Sequence, residues 1–207
     1  MTETTDAYHH GSLPEALLVA VDEIVIAEGL ENVSLREAAR RAGVSHSAPA
    51  HHFGDKDGLL AAYAEQGFSM LADSLETAAI EAAGQPMIDI IKASGAAYVR
   101  FAVEHQGHFQ AMFRSGLDKS TYPELDAQSR RAFGGLKQRV EVLLQEGDDT
   151  ADTDVVAAYF WSIVHGLSSL WVDGALEQVF TDERPERIVE GVLSLPFGPT
   201  PITQSER

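Results

Sequence analysis

The chain has 207 residues, 44% of them hydrophobic, which is enough to bury a core and excludes disorder throughout. It has no cysteine, which excludes a disulfide scaffold, a cysteine-ligated zinc finger and a thiol nucleophile. Thirty-two acids against 15 Lys and Arg leave a net charge of −17, which argues against a nucleic-acid partner unless a small local footprint overrides the global sign.

The opening segment, Met1 to Asp6, has no basic region and no apolar stretch after it, so no signal peptide is expected. No apolar run approaches the roughly 18 residues of a membrane span, so a soluble, cytoplasmic protein is expected. Ser12-Leu-Pro-Glu15 is a capping-box pattern opening a helix with Leu17, Val21, Ile24 and Val25 at 3.6-residue spacing, ended by Gly29. Ser34-Leu-Arg-Glu37 repeats the pattern and opens a short helix, with Leu35, Ala38 and Ala39 inward and Gly43 as its stop. Ser45 is expected to cap a still shorter helix through Ala48 and Pro49 to Gly54. Asp55 caps a fourth helix reaching about Ala83.

Further helical blocks follow, from Pro86 to about His105, around Phe109 to Phe113, and from Pro123 to about Gln145. Residues 153–172 put Val155, Tyr159, Ile163, Leu167 and Leu170 on one face, and residues 182–195 form the last helix. Residues 197–207, with two prolines and a polar end, read as a disordered tail. No strand is expected. The fold class is all-α.

Residues 34–53 follow helix-turn-helix grammar, with two short helices around a glycine turn and the second free to enter a major groove. Arg36, Arg40 and Arg41 cluster on the first helix. The second exposes His46, Ser47, His51 and His52, all hydrogen-bonding groups and none an acid. Lys56 sits in the first turn of its helix, where the macrodipole disfavours a cation but free N–H groups favour a phosphate beside it.

The stretch from Tyr8-His-His-Gly11 through Ser34-Leu-Arg-Glu-Ala-Ala-Arg-Arg-Ala-Gly-Val-Ser-His-Ser-Ala-Pro to His52-Phe53-Gly-Asp-Lys-Asp-Gly-Leu59 resembles the DNA-binding domain of TetR-family transcriptional regulators. The resemblance covers residues 9–69, and residues 70–196 are similar to the family's ligand-binding and dimerisation domain. Trp161, His165 and Gly166 resemble the signature of one C-terminal subtype. The resemblance implies a base contact from Arg36, and base contacts from His46 and Ser47, with Ala48 against a thymine methyl. It implies phosphate contacts from His52 and Lys56. Ser34, Ser45 and His51 belong to the same expected DNA surface. One departure stands out: the family commonly has Tyr where this chain has Ala50, which removes an aromatic phosphate contact.

The function implied is a ligand-responsive repressor, released from a pseudo-palindromic double-stranded DNA operator by a small, largely apolar effector. The implied assembly is a homodimer through the helices near 153–172 and 182–195. The expected effector-lining residues are Phe68, Tyr98, Phe101, Phe109, Phe113, Tyr159, Trp161 and His165. The alternative is a helical small-molecule-binding protein whose head no longer binds DNA usefully.

Other readings are weaker. His9-His10 suits an N-terminal arm better than a metal pair. His105 and His108 have the spacing of two ligands on one helical face, but Gly107 weakens that helix and no third ligand follows, so no metal is expected. Gly95, Gly134 and Gly135 read as close helix contacts or as local give beside a pocket, and Gly166 as a close crossing between subunits. There is no Gly-x-Ser-x-Gly, no phosphate-binding glycine loop and no zinc-protease motif, so neither enzyme activity nor a cofactor is expected.

Overall fold

The computed structural model describes residues 12–147, 149–179 and 185–195. Helix α1 (Leu13–Glu28) starts from the full capping box: the Ser12 N–H donates to Glu15 Oε2 at 2.9 Å and the Glu15 N–H to Ser12 Oγ at 3.4 Å. Its inward face is Leu17, Ala20, Val21, Ile24 and Val25, and Gly29 ends it at φ +93°. Helix α2 (Leu35–Arg41) keeps only half of its box. Ser34 Oγ accepts from the Glu37 N–H at 3.2 Å, but the Glu37 carboxylate is turned to arginines instead.

Helix α3 (Ala48–Phe53) is capped by Ser47 rather than Ser45, and the Ser47 side chain makes no capping bond. The serine expected as cap supplies its carbonyl instead, accepting from the Ala48 N–H at 3.0 Å. Pro49 is the buried residue of α3, so five of its neighbours, His46, Ser47, Ala50, His51 and His52, face outward. Helix α4 (Lys56–Glu81) is opened by Asp55, whose Oδ1 accepts from the Gly58 N–H at 2.8 Å.

The later helices are α5 (Met87–Glu104), α6 (Gln106–Arg114), α7 (Pro123–Glu146), α8 (Thr153–Val172), α9 (Ala175–Val179) and α10 (Pro185–Ser194). The short α9 carries no periodic signal and was not expected. The tail and the His9-His10 pair lie outside the described residues.

Two compact units emerge. One holds the described residues up to Asp73 together with Glu104–Gly135, so α6 packs against α1 of the head. The other holds Ser74–Val103 and the residues from Leu136 onward. The second unit has a core of Ile91, Val140, Leu144 and Phe160, flanked by Met87, Leu136 and Val156.

Three of the four glycines within helical patterns resolve differently. A Cβ on Gly95 would stand 3.1 Å from Val164 Cγ1 and 3.4 Å from Leu193 Cδ2, so the close-contact reading holds there. A Cβ on Gly134 or Gly166 would meet nothing within 4 Å among the described residues. Neither is therefore a close crossing between the described helices of one subunit.

Helix α8 departs from expectation in two ways. Leu167 faces inward with Phe160, Val164 and Ser168, because those positions meet the second unit's core. The outward stripe is Val155 (66% exposed), Tyr159 (50%) and Leu170 (47%), with Ser162 and Gly166 between them. Contrary to the reading of the bare sequence, Thr153–Val172 is long and apolar enough by length and composition to cross a membrane.

Candidate nucleic-acid interface and aromatic clusters

The glycine turn that sets α3 against α2 rests on Gly43 at φ +67°, a left-handed conformation that glycine adopts without steric cost. The far end of α3 is set by Gly58, which sequence reasoning missed. A Cβ there would fall 2.0 Å from the Phe53 carbonyl oxygen, so only glycine lets α4 begin so close to the end of α3. Its signal was visible as the second glycine of Gly54-Asp-Lys-Asp-Gly58.

The three arginines of α2 are not equivalent. Arg40 holds Glu37 through Nε at 2.8 Å and Nη2 at 2.5 Å. Arg41 reaches Glu37 at 3.0 Å and also pairs with Glu28 of α1. The side-chain hydrogen bonds from Arg40 and then Arg41 hold the Glu37 carboxyl down at about 2. Both arginines are thus spent on bracing α2, while Arg36 is exposed and has no acidic partner among the described residues. Of the expected base-reading residues, Arg36, His46 and Ser47 are exposed, and Ala48 is half-buried. Lys56 is half-buried and its Nζ donates to the Glu31 carbonyl at 2.9 Å. It therefore ties α4 to the turn after α1, a bond that a phosphate would have to share.

A buried polar junction joins α1, α4 and α6 of the same unit. The Tyr63 hydroxyl donates to Asp22, and the Tyr63 and His108 rings lie 4.1 Å apart. His108 Nε2 stands 3.1 Å from Gln66 Oε1, and its Nδ1 is 3.6 Å from Asp22 Oδ1. Burial pulls His108 down to about 4, outweighing the pull of Asp22 in the other direction. Burial likewise pushes the Tyr63 phenol up, with the hydrogen bond to Asp22 adding to it. Gly107 admits this arrangement, since a Cβ there would lie 2.5 Å from the Tyr63 hydroxyl. His105 is the N-cap of α6 and His108 lies inside it, with their rings edge to face at 6.1 Å, but no third ligand joins the pair among the described residues.

The expected effector-lining residues fall into two groups. In the first unit Phe68 stacks edge-on to Phe113 at 5.5 Å, and Phe109 lies 5.1 Å from Phe113. Phe133, 6.2 Å from Phe68, and Lys119, 4.2 Å above the Phe68 ring, complete this cluster and were missed. Lys119 lies in a loop between helical patterns, where periodicity carries no information.

In the second unit the Tyr98 hydroxyl meets His165 Nδ1 at 2.9 Å and accepts from Trp161 Nε1 at 3.4 Å. Burial pushes the Tyr98 phenol up. Phe101 is buried in the same unit, whereas Tyr159 lies on the outward stripe of α8. No group of His, Asp or Glu among the described residues is arranged to hold a metal ion.

Comparison with known proteins gives a consistent result. The family model of bacterial regulatory proteins of the tetR family matches residues 17–63, and that of the tetracyclin repressor-like C-terminal domain matches residues 91–194. No curated protein matches the chain. Among solved structures, a protein of unknown function from Rhodococcus sp. RHA1 is 30% identical, with 91% of this chain and 97% of that chain covered at a TM-score of 0.73. The fatty acid degradation regulator FadR from Bacillus halodurans is 12% identical, with 93% and 98% covered and a TM-score of 0.73. AibR, solved with isovaleryl coenzyme A and operator DNA, is 18% identical, with 89% and 97% covered and a TM-score of 0.67.

Proposed function

The chain belongs to the TetR family of bacterial transcriptional regulators, and from that premise we propose that it is a homodimeric repressor whose operator is released by a small, largely apolar effector. The observation that carries the DNA side is the exposed surface of α3 with Arg36: hydrogen-bonding groups, a free guanidinium, and no acid among them. In this reading Arg36, His46 and Ser47 meet base edges, Ala48 meets a thymine methyl, and Ser34, Ser45, His51, His52 and Lys56 serve the backbone. The protein works in the cytoplasm, where its DNA is, and has no catalytic task.

The outward stripe of α8 supports the dimer. Val155, Tyr159 and Leu170 are too large and apolar to leave in water, and a two-fold mate seated on Ser162 and Gly166 would cover them. The same interface accounts for the apolar character of α8 without a membrane. Paired heads then meet successive major grooves, so the operator is a pseudo-palindrome with half-sites about one helical turn apart.

The polar junction at Asp22, Tyr63 and His108 supports a route from effector to head. Phe68 and Phe113 lie five residues beyond Tyr63 and His108 on the same two helices, α4 and α6. A molecule that binds beside those rings in only one arrangement of α4 and α6 shifts the population of heads able to bind DNA.

A mobility-shift titration on the DNA flanking the coding region, with and without a cell-metabolite extract, tests the reading. Specific binding tighter than about micromolar at moderate salt, lost on adding the extract, is expected. Non-specific binding alone would favour the alternative, a ligand-binding protein with a spent head, which Ala50 and the two acid-bound arginines motivate.

A further inference from the structure

Acids outnumber Lys and Arg 32 to 15 in this chain, and most cations of the described residues have found one. Arg40, Arg41, Lys92, Arg130, Arg131, Lys137 and Arg139 each pair with a carboxylate. Lys119 is half-buried and has no carboxylate within ion-pair distance among the described residues. Its Nζ donates to the buried Ser129 Oγ at 3.3 Å and lies 4.2 Å from the Phe68 ring centroid and 5.6 Å from that of Phe113. The acid nearest in influence is Asp126, but that carboxylate is held by Arg130 at 2.5 Å. Burial pulls the ammonium below its ordinary value, as expected where desolvation is not matched by a counter-ion.

The local chain fixes this position. Asp118 Oδ1 accepts from the Ser120 N–H at 3.0 Å and from its hydroxyl at 2.7 Å, which locks the turn that carries Lys119. An ammonium has three donors, and Ser129 takes one. Phe68 and Phe109 are buried beneath, whereas Phe113, Phe133 and Lys119 itself are partly open to solvent. A desolvated cation with donors to spare thus sits at the edge of an aromatic cluster that can be reached from outside.

We propose that Lys119 anchors the carboxylate of a small organic acid whose apolar body lies against Phe113 and Phe133. This rests on the effector reading above and deepens it, naming the chemical class as apolar monocarboxylates. Lysine suits the role as a point charge, giving charge selection without the planar fork by which arginine reads both carboxylate oxygens at once.

The test is calorimetric titration of the full chain with octanoate and 3-phenylpropionate, each against its uncharged amide, followed by the same ligands in a DNA-binding assay. At least one acid is expected to bind about tenfold or more tightly than its amide, the effect of one charge-assisted contact. Lys119→Met should erase that preference while leaving amide affinity in place, and Lys119→Arg should keep most of it. If no acid binds at millimolar concentration, if acid and amide bind alike, or if Lys119→Met keeps the preference, the anchor is overturned. Should Lys119→Met lower the melting temperature, the acid-over-amide preference of the unmutated chain still decides. Amides that bind and release DNA without any acid preference would overturn the anchor and leave the effector reading intact. Lys119-dependent acid binding that leaves DNA binding untouched would do the reverse.

Discussion

Replacing Gly58 by Ala should damage the DNA-reading head, for a reason measurable on the structure. The added Cβ would stand 2.0 Å from the Phe53 carbonyl oxygen and 3.1 Å from its carbon. Ordinary C···O contacts close no nearer than about 3.3 Å, so roughly 1.3 Å must be made up by backbone movement. The obstructed carbonyl also accepts from the Asp55 N–H at 3.0 Å, so it cannot simply turn away. Phe53 is the last residue of α3, and its displacement carries His51 and His52 with it. Overpacking of this kind costs about 1–3 kcal/mol, even after some helical gain from alanine. At about 2–4 °C per kcal/mol for a chain of this size, the melting temperature should fall by about 2–12 °C. Gly134→Ala is the control, since it lies in the same unit and a Cβ there meets nothing within 4 Å among the described residues. That variant should gain about 0.5–1 kcal/mol from helix propensity and melt higher than the unmutated chain. Calorimetric melts of both variants, and DNA binding well below the transition, decide the matter. If Gly58→Ala melts at or above the unmutated chain and binds DNA normally, the Phe53–Gly58 approach does not set α3.

Arg36→Ala should cost about 1–3 kcal/mol of DNA affinity concentrated at one base pair per half-site. Lys56→Ala should weaken all sequences alike and flatten the salt dependence; matching base-substitution profiles for the two would show that the roles are misassigned. His108 is held neutral by burial, titrating at about 4 in the folded chain against an ordinary 6.5. The unfolded chain therefore takes up that proton first. The stabilisation from neutral His108 is complete above about pH 6.5 and is lost progressively down to about pH 4, by up to about 3 kcal/mol. Urea titrations should show a flatter fall across that window in His108→Gln, and parallel curves would mean that His108 is not the group responsible. Light scattering should report about 45 kDa, twice the 22.4 kDa of one chain. Gly166→Glu should abolish dimer and DNA binding together, and a monomeric unmutated chain at micromolar concentration would remove the interface.

What could be read from the sequence was what local rules govern. Capping serines, glycine stops and 3.6-residue spacing located α1 to α8 within a few residues, because each depends on neighbours in the chain. The cap of α3 lies two residues beyond Ser45, since both Ser45 and Ser47 are of a capping type and only tertiary packing chooses between them. Charge was harder to read. Arg36, Arg40 and Arg41 cluster on one short helix in sequence, but nothing local shows that Glu28, 13 residues from Arg41, pairs with that arginine. The Asp22, Tyr63 and His108 junction spans 41 residues between its first two members, and no local pattern announces it. Leu167 and Tyr159 were assigned to one face of α8, whereas the core takes Leu167 and leaves Tyr159 outside. Lys119 was overlooked because a loop lysine is bland in sequence and gains meaning only from the rings around it.

The central claim, that this acidic chain reads DNA as a two-fold dimer, is tested most directly by presenting it with a pool of random duplexes and sequencing those retained at moderate salt. Retained duplexes should share a pseudo-palindromic motif with half-sites about one helical turn apart, and Arg36→Ala should blur one position in each half. Retention without a shared motif, or a motif lacking two-fold symmetry, would contradict the account.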